Sequence, residues 1–308
     1  MNGPENGLVC VLITPARNES ANIDRLLAAV TAQTVPPRRW IIVDDGSTDD
    51  TAERVRAYLP RFPWIELVSR REDRDRSFAA KVDGFNAGYE RAKRHAFDIV
   101  GNLDADVSFE VDYLEFLLGR FAADPSLGVA GTPFVEDSGY NTITDSFEGE
   151  RHVAGGCQLF RRRCFEEIGG YVANPKGGID WIAVTSARMK GWTTRSFRER
   201  SFHHHRSLGT GEGSPLAALF DYGRKDFYLG NHPLWEMLRV LYRMGRRPYL
   251  LGGLVLLTGY VRQALLREDR PVSPELIRFH RKEEMQKLKE IFKARFGRGR
   301  GPGKGGPE

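Results

Sequence analysis

The sequence predicts an α/β fold, a mostly parallel sheet flanked by helices, with a helical C-terminal extension. Two observations predict the sheet. Short β-branched apolar runs alternate with segments of helical periodicity between residues 8 and 121, and polar clusters sit just past those runs. Such alternation buries a parallel sheet on both faces. A third observation sets off the extension: beyond Pro215 the chain turns rich in Leu, Tyr and Arg.

The elements follow in order. Residues 8–13 form a buried-strand run that ends at Thr14-Pro15. Residues 20–33 place Ile23, Leu26, Leu27 and Val30 on one helical face. Strands are expected at 40–43, 65–68 and 99–103, with helices at 51–59, 78–94 and 111–121. From about Val129 the pattern is mixed: a strand near 128–132, a turn at Gly155-Gly156, a helix at 181–190, then polar loops to about Gly213. Ser273-Pro274 starts a basic helix, Ser as cap and Pro in the first turn, with Met285, Leu288, Phe292 and Phe296 on one face. The Gly/Pro/Arg-rich tail from Gly297 is expected to be disordered. The domain plan is therefore 1–213, 214–296 and 297–308.

Composition narrows the function. A chain of 308 residues with 41% hydrophobic residues can bury a full core. The net charge of +5 is partly that of the tail GRGRGPGKGG, and no DNA or RNA motif accompanies it, so no nucleic-acid partner is expected. Three cysteines, Cys10, Cys157 and Cys164, do not make a disulfide framework and favour a reducing compartment. Cys157 and Cys164 lack a Cys-x-x-Cys companion, so packing is expected of them rather than zinc. The first residues run straight into a strand with no export signal, which places the protein in the cytoplasm.

Chemistry is expected where open α/β sheets bind ligands, at the carboxyl ends of the strands. In IIVDDGSTDDT the second strand delivers Asp44 and Asp45 side by side, a repulsive pair that needs a partner or ligand. In GNLDADVSF the strand at 99–103 delivers Asp104 and Asp106; an Asp-X-Asp converging on one point suits a hard divalent cation that bridges phosphates. Alone, that motif is common in solvated turns. Its position at the same sheet edge, beside Arg17 and Glu19 of TPARNES and the segment RDRSFAAKVDGFNAGYERA, separates it from such turns. Carboxylates for a base or ribose, cations for phosphates and a metal motif together suit a nucleoside diphosphate.

These parts resemble, in order and spacing, the family-2 glycosyltransferases of GT-A fold. The resemblance rests on TPARNES, VDDGSTDDT, the Ala-Lys-x-x-Gly-x-Asn-x-Gly segment at residues 80–88, LDADV, GGCQLFRRRCFEEIGGY and GGIDWIAVTSARMKGW, and covers about residues 8–210. It implies a GT-A type nucleotide-sugar-binding sheet and an inverting transfer from a nucleotide-sugar donor, UDP-linked rather than GDP-linked, to a saccharide or lipid-linked acceptor in cell-surface polysaccharide synthesis. Asp44 and Asp45 would then read the base and ribose, Pro15, Arg17 and Glu19 would line the same pocket, and Lys81 or Arg76 would face the diphosphate. Asp106 would hold Mg or Mn, Asp104 would touch the metal or the ribose, and Asp180 would be the general base. Asp180 is also placed to cap a helix beginning at Trp181. Where the family commonly has a Glu-Asp pair this chain has Ile179-Asp180, which keeps open a nucleotide-binding protein without turnover.

In FHHHRS, at residues 202–207, imidazole can ligate a metal or touch a diphosphate. A strand there would point His203 and His205 one way and His204 the other; His204 is the candidate ligand, and HHRSLGTG resembles a lid over the donor. The apolar run at 249–261 is short of the roughly 20 residues that span a bilayer. Flanked by Arg243, Arg246, Arg247, Arg262 and Arg267, it suits either a helix on an anionic membrane surface or a buried helix. Two rivals fit less well. A sugar nucleotidyltransferase wants a Gly-rich Arg/Lys signature that TPARNES lacks, and a receiver-type signalling domain needs only about a hundred residues.

Overall fold

The computed structural model describes residues 7–70, 78–136, 149–174, 177–206, 214–266 and 270–296. The chain divides into two compact units, 1–210 and 211–308.

The first unit is built on a seven-stranded sheet. In chain order it holds β1 (Cys10–Ala16), β2 (Arg39–Asp45), β3 (Ile65–Arg70), β4 (Ile99–Leu103), β6 (Leu127–Gly131), β8 (Cys157–Arg161) and β9 (Thr193–Ser196). The spatial order is β3-β2-β1-β4-β8-β6-β9. β1 pairs in parallel with β2 and β4, while β8 runs antiparallel between β4 and β6. The strand order therefore reverses between β1 and β4, the switch point at which such sheets open a crevice. Helices α1 (Ile23–Thr31), α2 (Thr51–Tyr58), α3 (Phe78–Ala92), α4 (Tyr113–Ala123), α5 (Arg162–Glu167) and α6 (Ile179–Met189) belong to the same unit. Two apolar clusters form from alternate residues of the strands, Leu12, Trp40 and Ile42 in one and Val11, Ile13 and Ile41 in the other. The four buried residues of α1 are the four expected, Ile23, Leu26, Leu27 and Val30.

Boundaries differ from the sequence reading in informative ways. α1 starts at Ile23 rather than residue 20, because Asn22 and Ile23 donate their N–H groups to the Glu19 carbonyl in a tight turn. β2 runs on through Asp44 and Asp45, since its pairing with β3 continues to Arg70. The polar stretch after α6, expected as loops, contains β9 and β10 (Phe202–His204). Strands of four and three residues are too short to show periodicity. β10 lies between β5 (Val107–Phe109) and β7 (Phe134–Glu136) in a second, small sheet.

The second unit contains α7 (Pro215–Leu229), α8 (Pro233–Met244), α9 (Leu251–Leu266) and α10 (Pro274–Phe296). Ser214, with Pro215 at the first position, caps α7 by accepting from the Ala217 N–H, and Ser273 caps α10 in the same way from Leu276. α7 and α9 approach so closely that a Cβ on Gly223 would lie 1.9 Å from the Leu256 carbonyl oxygen. On α10 the buried side carries Leu276, His280 and Glu284, while Phe292, on the face shared with Met285 and Leu288, is 53% exposed. Met285 and Leu288 are half-buried, and the Phe296 side chain lies outside the described set. The apolar run forms the 16-residue α9, and no described helix is long and apolar enough to cross a membrane.

Candidate functional site

The carboxyl ends of β1, β2 and β4 deliver the acidic clusters to one edge of the sheet. Asp44 and Asp45 are the last residues of β2, so they project to opposite faces and their repulsion is relieved. Each has its own partner: the Ser47 N–H donates to Asp44 Oδ1 at 3.0 Å, and Arg70 at the end of β3 stands 3.2 Å from Asp45 Oδ1. The loops after β1 and β2 are laced together. Asn18, at φ 54°, donates its N–H to Ser47 Oγ and accepts from the Thr48 N–H, and Glu19 donates its N–H to Thr51 Oγ1. Burial raises the Asp49 carboxyl, but hydrogen bonds from Thr51 and Ser20 together outweigh it and hold the group down at about 2. Pro15 packs where Gly84 of α3 leaves room, since a Cβ there would be 3.2 Å from Pro15 Cβ. Arg17 is half-buried on the same exit loop, and Arg76 lies outside the described residues.

β4 and β8 complete the far wall of the crevice. Leu103 pairs with Cys157, which places the Gly155-Gly156 turn against the end of β4. The Asp104 N–H donates to the Gly156 carbonyl, and Asn102 Nδ2 donates to the Gly155 carbonyl at 2.7 Å. Gly155 also lies under Asp180, where a Cβ would meet Asp180 Cβ at 3.0 Å. Asp180 is the second residue of α6, whose N-cap is Gly178 at φ 78°, so the expected capping role for Asp180 falls to a glycine. Its carboxylate stands 3.7 Å from His152 Nε2.

The small sheet brings in residues from far along the chain. β10 pairs antiparallel with β5, His204 opposite Val107, and the His205 N–H donates to the Asp106 carbonyl at 2.9 Å. His204 Nε2 thereby stands 3.6 Å from Asp106 Oδ1. His205 turns the other way, to Ser108 Oγ at 2.8 Å, with the His203 ring 4.6 Å from its own. Next in the chain, Arg206 donates to Glu19 Oε2 at 2.6 Å and lies 3.6 Å from Asp106 Oδ2. Lys81 of α3 reaches Asp104 Oδ1 at 2.5 Å.

The electrostatics show how tightly these groups are gathered. Burial, with the charge of Asp104, raises the Asp106 carboxyl against the lowering pull of His204, Arg206 and Lys81. Burial would lower Lys81, but Asp104, then Asp180 and Asp106, raise it. One ammonium thus feels all three carboxylates. Asp104, Asp106 and His204 each offer a ligand atom within 4.8 Å of the others. The buried His204 Nδ1 has no hydrogen-bond partner, and Asp106 remains under-compensated. Two carboxylates and an imidazole of this kind fit a divalent cation.

The structure therefore gathers Asp104, Asp106, Lys81, Asp180 and His204 at one place, with Glu19 joined through Arg206, and leaves Asp44, Asp45, Pro15 and Arg17 along the β1–β2 side of the same edge. Sequence reasoning missed Arg206, His152, Asn102 and Arg70 as members. Arg206 adjoins the histidine run and had a local signal; His152 and Arg70 had none. The residues of the lid-like stretch beyond Arg206 lie outside the described set.

Residues 11–148 match the family described as Glycosyl transferase family 2. Poly-beta-1,6-N-acetyl-D-glucosamine synthase of Staphylococcus aureus (strain COL) is 32% identical over 121 residues, 39% of this chain and 27% of the relative. The synthase of Staphylococcus epidermidis is 24% identical over 172 residues, 49% of this chain and 39% of the relative. The chain spans well under half the length of these curated relatives. Among solved structures, the mannosyltransferase PcManGT from Pyrobaculum calidifontis, in complex with GDP-Man and Mn2+, aligns with a TM-score of 0.55 at 17% identity, over 96% of this chain and 89% of that one. GalNAc-T7 with UDP, GalNAc and Mn2+ aligns at 0.58 and 15%, over 95% and 59%. TarS 1-349 of S. aureus in complex with UDP-GlcNAc aligns at 0.51 and 14%, over 93% and 81%. These likenesses show a GT-A fold.

Proposed function

We propose, from the match of residues 11–148 to glycosyl transferase family 2 and the GT-A fold, that the chain is an inverting, metal-dependent glycosyltransferase with a UDP-linked sugar donor. The observation that carries the reading is the gathering of Asp104, Asp106 and His204 with Lys81 and Asp180 at the switch point of the sheet. Asp44 and Asp45 read the base and ribose, with Pro15, Arg17 and Glu19 along the same wall. Lys81 faces the diphosphate.

In the transfer, an acceptor hydroxyl oxygen forms a bond to the anomeric carbon from the face opposite the leaving group. The anomeric C–O bond to the β-phosphate breaks, its electron pair leaves with the nucleoside diphosphate, and the hydroxyl proton passes to the Asp180 carboxylate. Mg or Mn held by Asp104, Asp106 and His204 would neutralise charge on the departing diphosphate. Lys81 adds a fixed cation beside the same carboxylates. Support for UDP comes from two of the neighbours, TarS with UDP-GlcNAc and GalNAc-T7 with UDP, against one with GDP-Man. The synthase relatives support an acceptor hydroxyl on a saccharide or lipid-linked chain, in the building of a surface polysaccharide. Three buried free cysteines support a cytoplasmic setting.

The alternative, nucleotide binding without turnover, is favoured by Ile179, which is buried where the family commonly has Glu. One experiment separates them: calorimetric titration with UDP and GDP, each with and without Mn, on the wild type and Asp106→Ala, followed by donor turnover with candidate acceptors. Metal-dependent UDP binding lost in the variant, with turnover, is expected. Binding without turnover on any acceptor leaves the alternative, and no binding to folded protein overturns the donor site itself.

A further inference from the structure

Two helices of the second unit leave large apolar side chains in solvent while acids and amides are buried beside the unit's apolar residues. On α8 the buried side carries Trp235, Val240 and Glu236, the last at 1% exposed, while Leu234 and Met237 face solvent and Leu241 is 60% exposed. On α9 the buried positions are Gly252, Gly253, Leu256, Gly259, Tyr260 and Gln263. Leu251, Leu254, Val261 and Leu265 lie on the opposite, exposed stripe, at spacings of three, seven and four residues, and Leu265 is 77% exposed. Tyr249 and Leu250, in the connection between the two helices, are exposed as well.

Water does not reward this arrangement. Burying carboxylates and amides while exposing Leu, Met and Val costs free energy on both counts in an aqueous setting. Beside its buried apolar residues, the interior joins helices by close backbone contact, with a Cβ on Gly259 only 2.1 Å from the Phe220 carbonyl oxygen. Close glycine packing with polar groups turned inward is how helices associate against hydrocarbon.

Charge identifies the occupant of the exposed face. Residues 233–266 contain five arginines and a single acid, Glu236, which is buried. Arg239 is spent on the buried Asp226 at 2.6 Å. Arg246, Arg247 and Arg262 are exposed among the apolar side chains. A second copy docked face to face would set arginines against arginines with no carboxylate to answer them. Anionic headgroups answer them directly, at about 1 kcal/mol for each basic residue near the surface. At 16 residues α9 extends about 24 Å by its rise per residue, short of the hydrocarbon thickness, so it suits lying in the interface rather than spanning it.

We infer that the exposed faces of α8 and α9 dock on an anionic lipid surface, Leu251, Leu254, Val261 and Leu265 entering the acyl boundary and Arg246, Arg247 and Arg262 pairing with headgroups. This does not rest on the transferase reading.

The test is flotation of the full chain with vesicles of phosphatidylcholine alone or with phosphatidylglycerol, alongside light scattering for oligomeric state. The wild type is expected to float with the anionic vesicles and to bind neutral ones at least about tenfold more weakly. Leu254→Asp with Leu265→Asp is expected to abolish flotation without changing the melting curve, because both side chains are already exposed. Arg246→Ala with Arg247→Ala is expected to weaken partition about fivefold per arginine removed. Wild-type protein that stays at the bottom of the gradient overturns the proposal. So does flotation indifferent to lipid charge and to the arginines. A dimer dissolved by the leucine substitutions, with no flotation, overturns it in favour of a second copy. UDP titration of the same samples keeps failure of this face distinct from failure of the donor site.

Discussion

The two units solve opposite problems with the same residue types. In the α/β unit the strands bury Val, Ile and Leu on both faces and spend their carboxylates at the strand ends, where Asp104, Asp106 and Asp180 surround Lys81. In the helical unit Asp226, Glu236, Gln263, His280 and Glu284 lie inside beside Val240, Leu256 and Tyr260, while Leu234, Leu241, Leu254 and Leu265 lie outside. A charged group at a crevice can be compensated by ligand, metal or water. One sealed among helices must find a partner or give up its charge. Polar burial gathers at the strand ends in the first unit, and in the second it is spread through the helical interior.

The comparison breaks most visibly through the crevice. Asp180→Asn is expected to lower turnover about 10²–10⁴-fold, as loss of a general base does, with UDP affinity unchanged in calorimetry. A drop in affinity as large as the drop in rate would make Asp180 a binding group instead.

Next comes the packing of the helical unit. Gly223→Ala puts a methyl 1.9 Å from a backbone oxygen, so one helix must shift against the other. Thermal unfolding is expected to show a loss of about 3 kcal/mol or more, the upper range for overpacking.

The buried acid gives a pH signature. Burial, then Asp226, raise Glu236 to about 8, against the lowering pull of Arg239. A carboxyl raised on folding is protonated in the folded protein while the unfolded chain has already released its proton. Stability therefore falls as pH rises from the ordinary carboxylate range through about 8, by up to about 1.4 kcal/mol per pH unit, and levels off above. Glu236→Gln, which cannot ionise, is expected to flatten that slope in melts between pH 5 and 9. An unchanged slope would assign the pH dependence to other groups.

The smallest effect sharpens the contrast. Leu254→Ser and Val261→Thr on the exposed stripe are expected to change stability in solution by less than about 0.5 kcal/mol. Leu12→Ser, in the core of the sheet, should prevent folding or nearly so, since it buries an unpaired hydroxyl in a cavity.

Much of the first unit was legible in advance. α1 shows its period in Ile23, Leu26, Leu27 and Val30, and Asp44, Asp45, Asp104 and Asp106 follow strands whose apolar runs are continuous. Less of the site could be read. His152 meets Asp180 and Arg70 meets Asp45 only through folding, and nothing in their neighbouring residues marks them. In the second unit, α10 shows a shared apolar face in Met285, Leu288 and Phe292, yet the buried side carries Leu276, His280 and Glu284. Periodicity reports that a helix has two faces; it does not report which one meets the interior.

The sequence by itself determined the order of strands and helices in the sheet and the delivery of carboxylates to strand ends, because both follow from the local repeat of the backbone. Tertiary structure alone decided that Arg206 bridges Glu19 and Asp106, that Asp180 rests on Gly155, and that Leu254 and Leu265 of α9 face outward while Leu256 is buried. Those outcomes depend on sheet register, on glycines that admit a neighbour's backbone and on which surfaces are left to bury once the first contacts form. Such contacts are set by pairing in space, and spacing along the chain does not encode them.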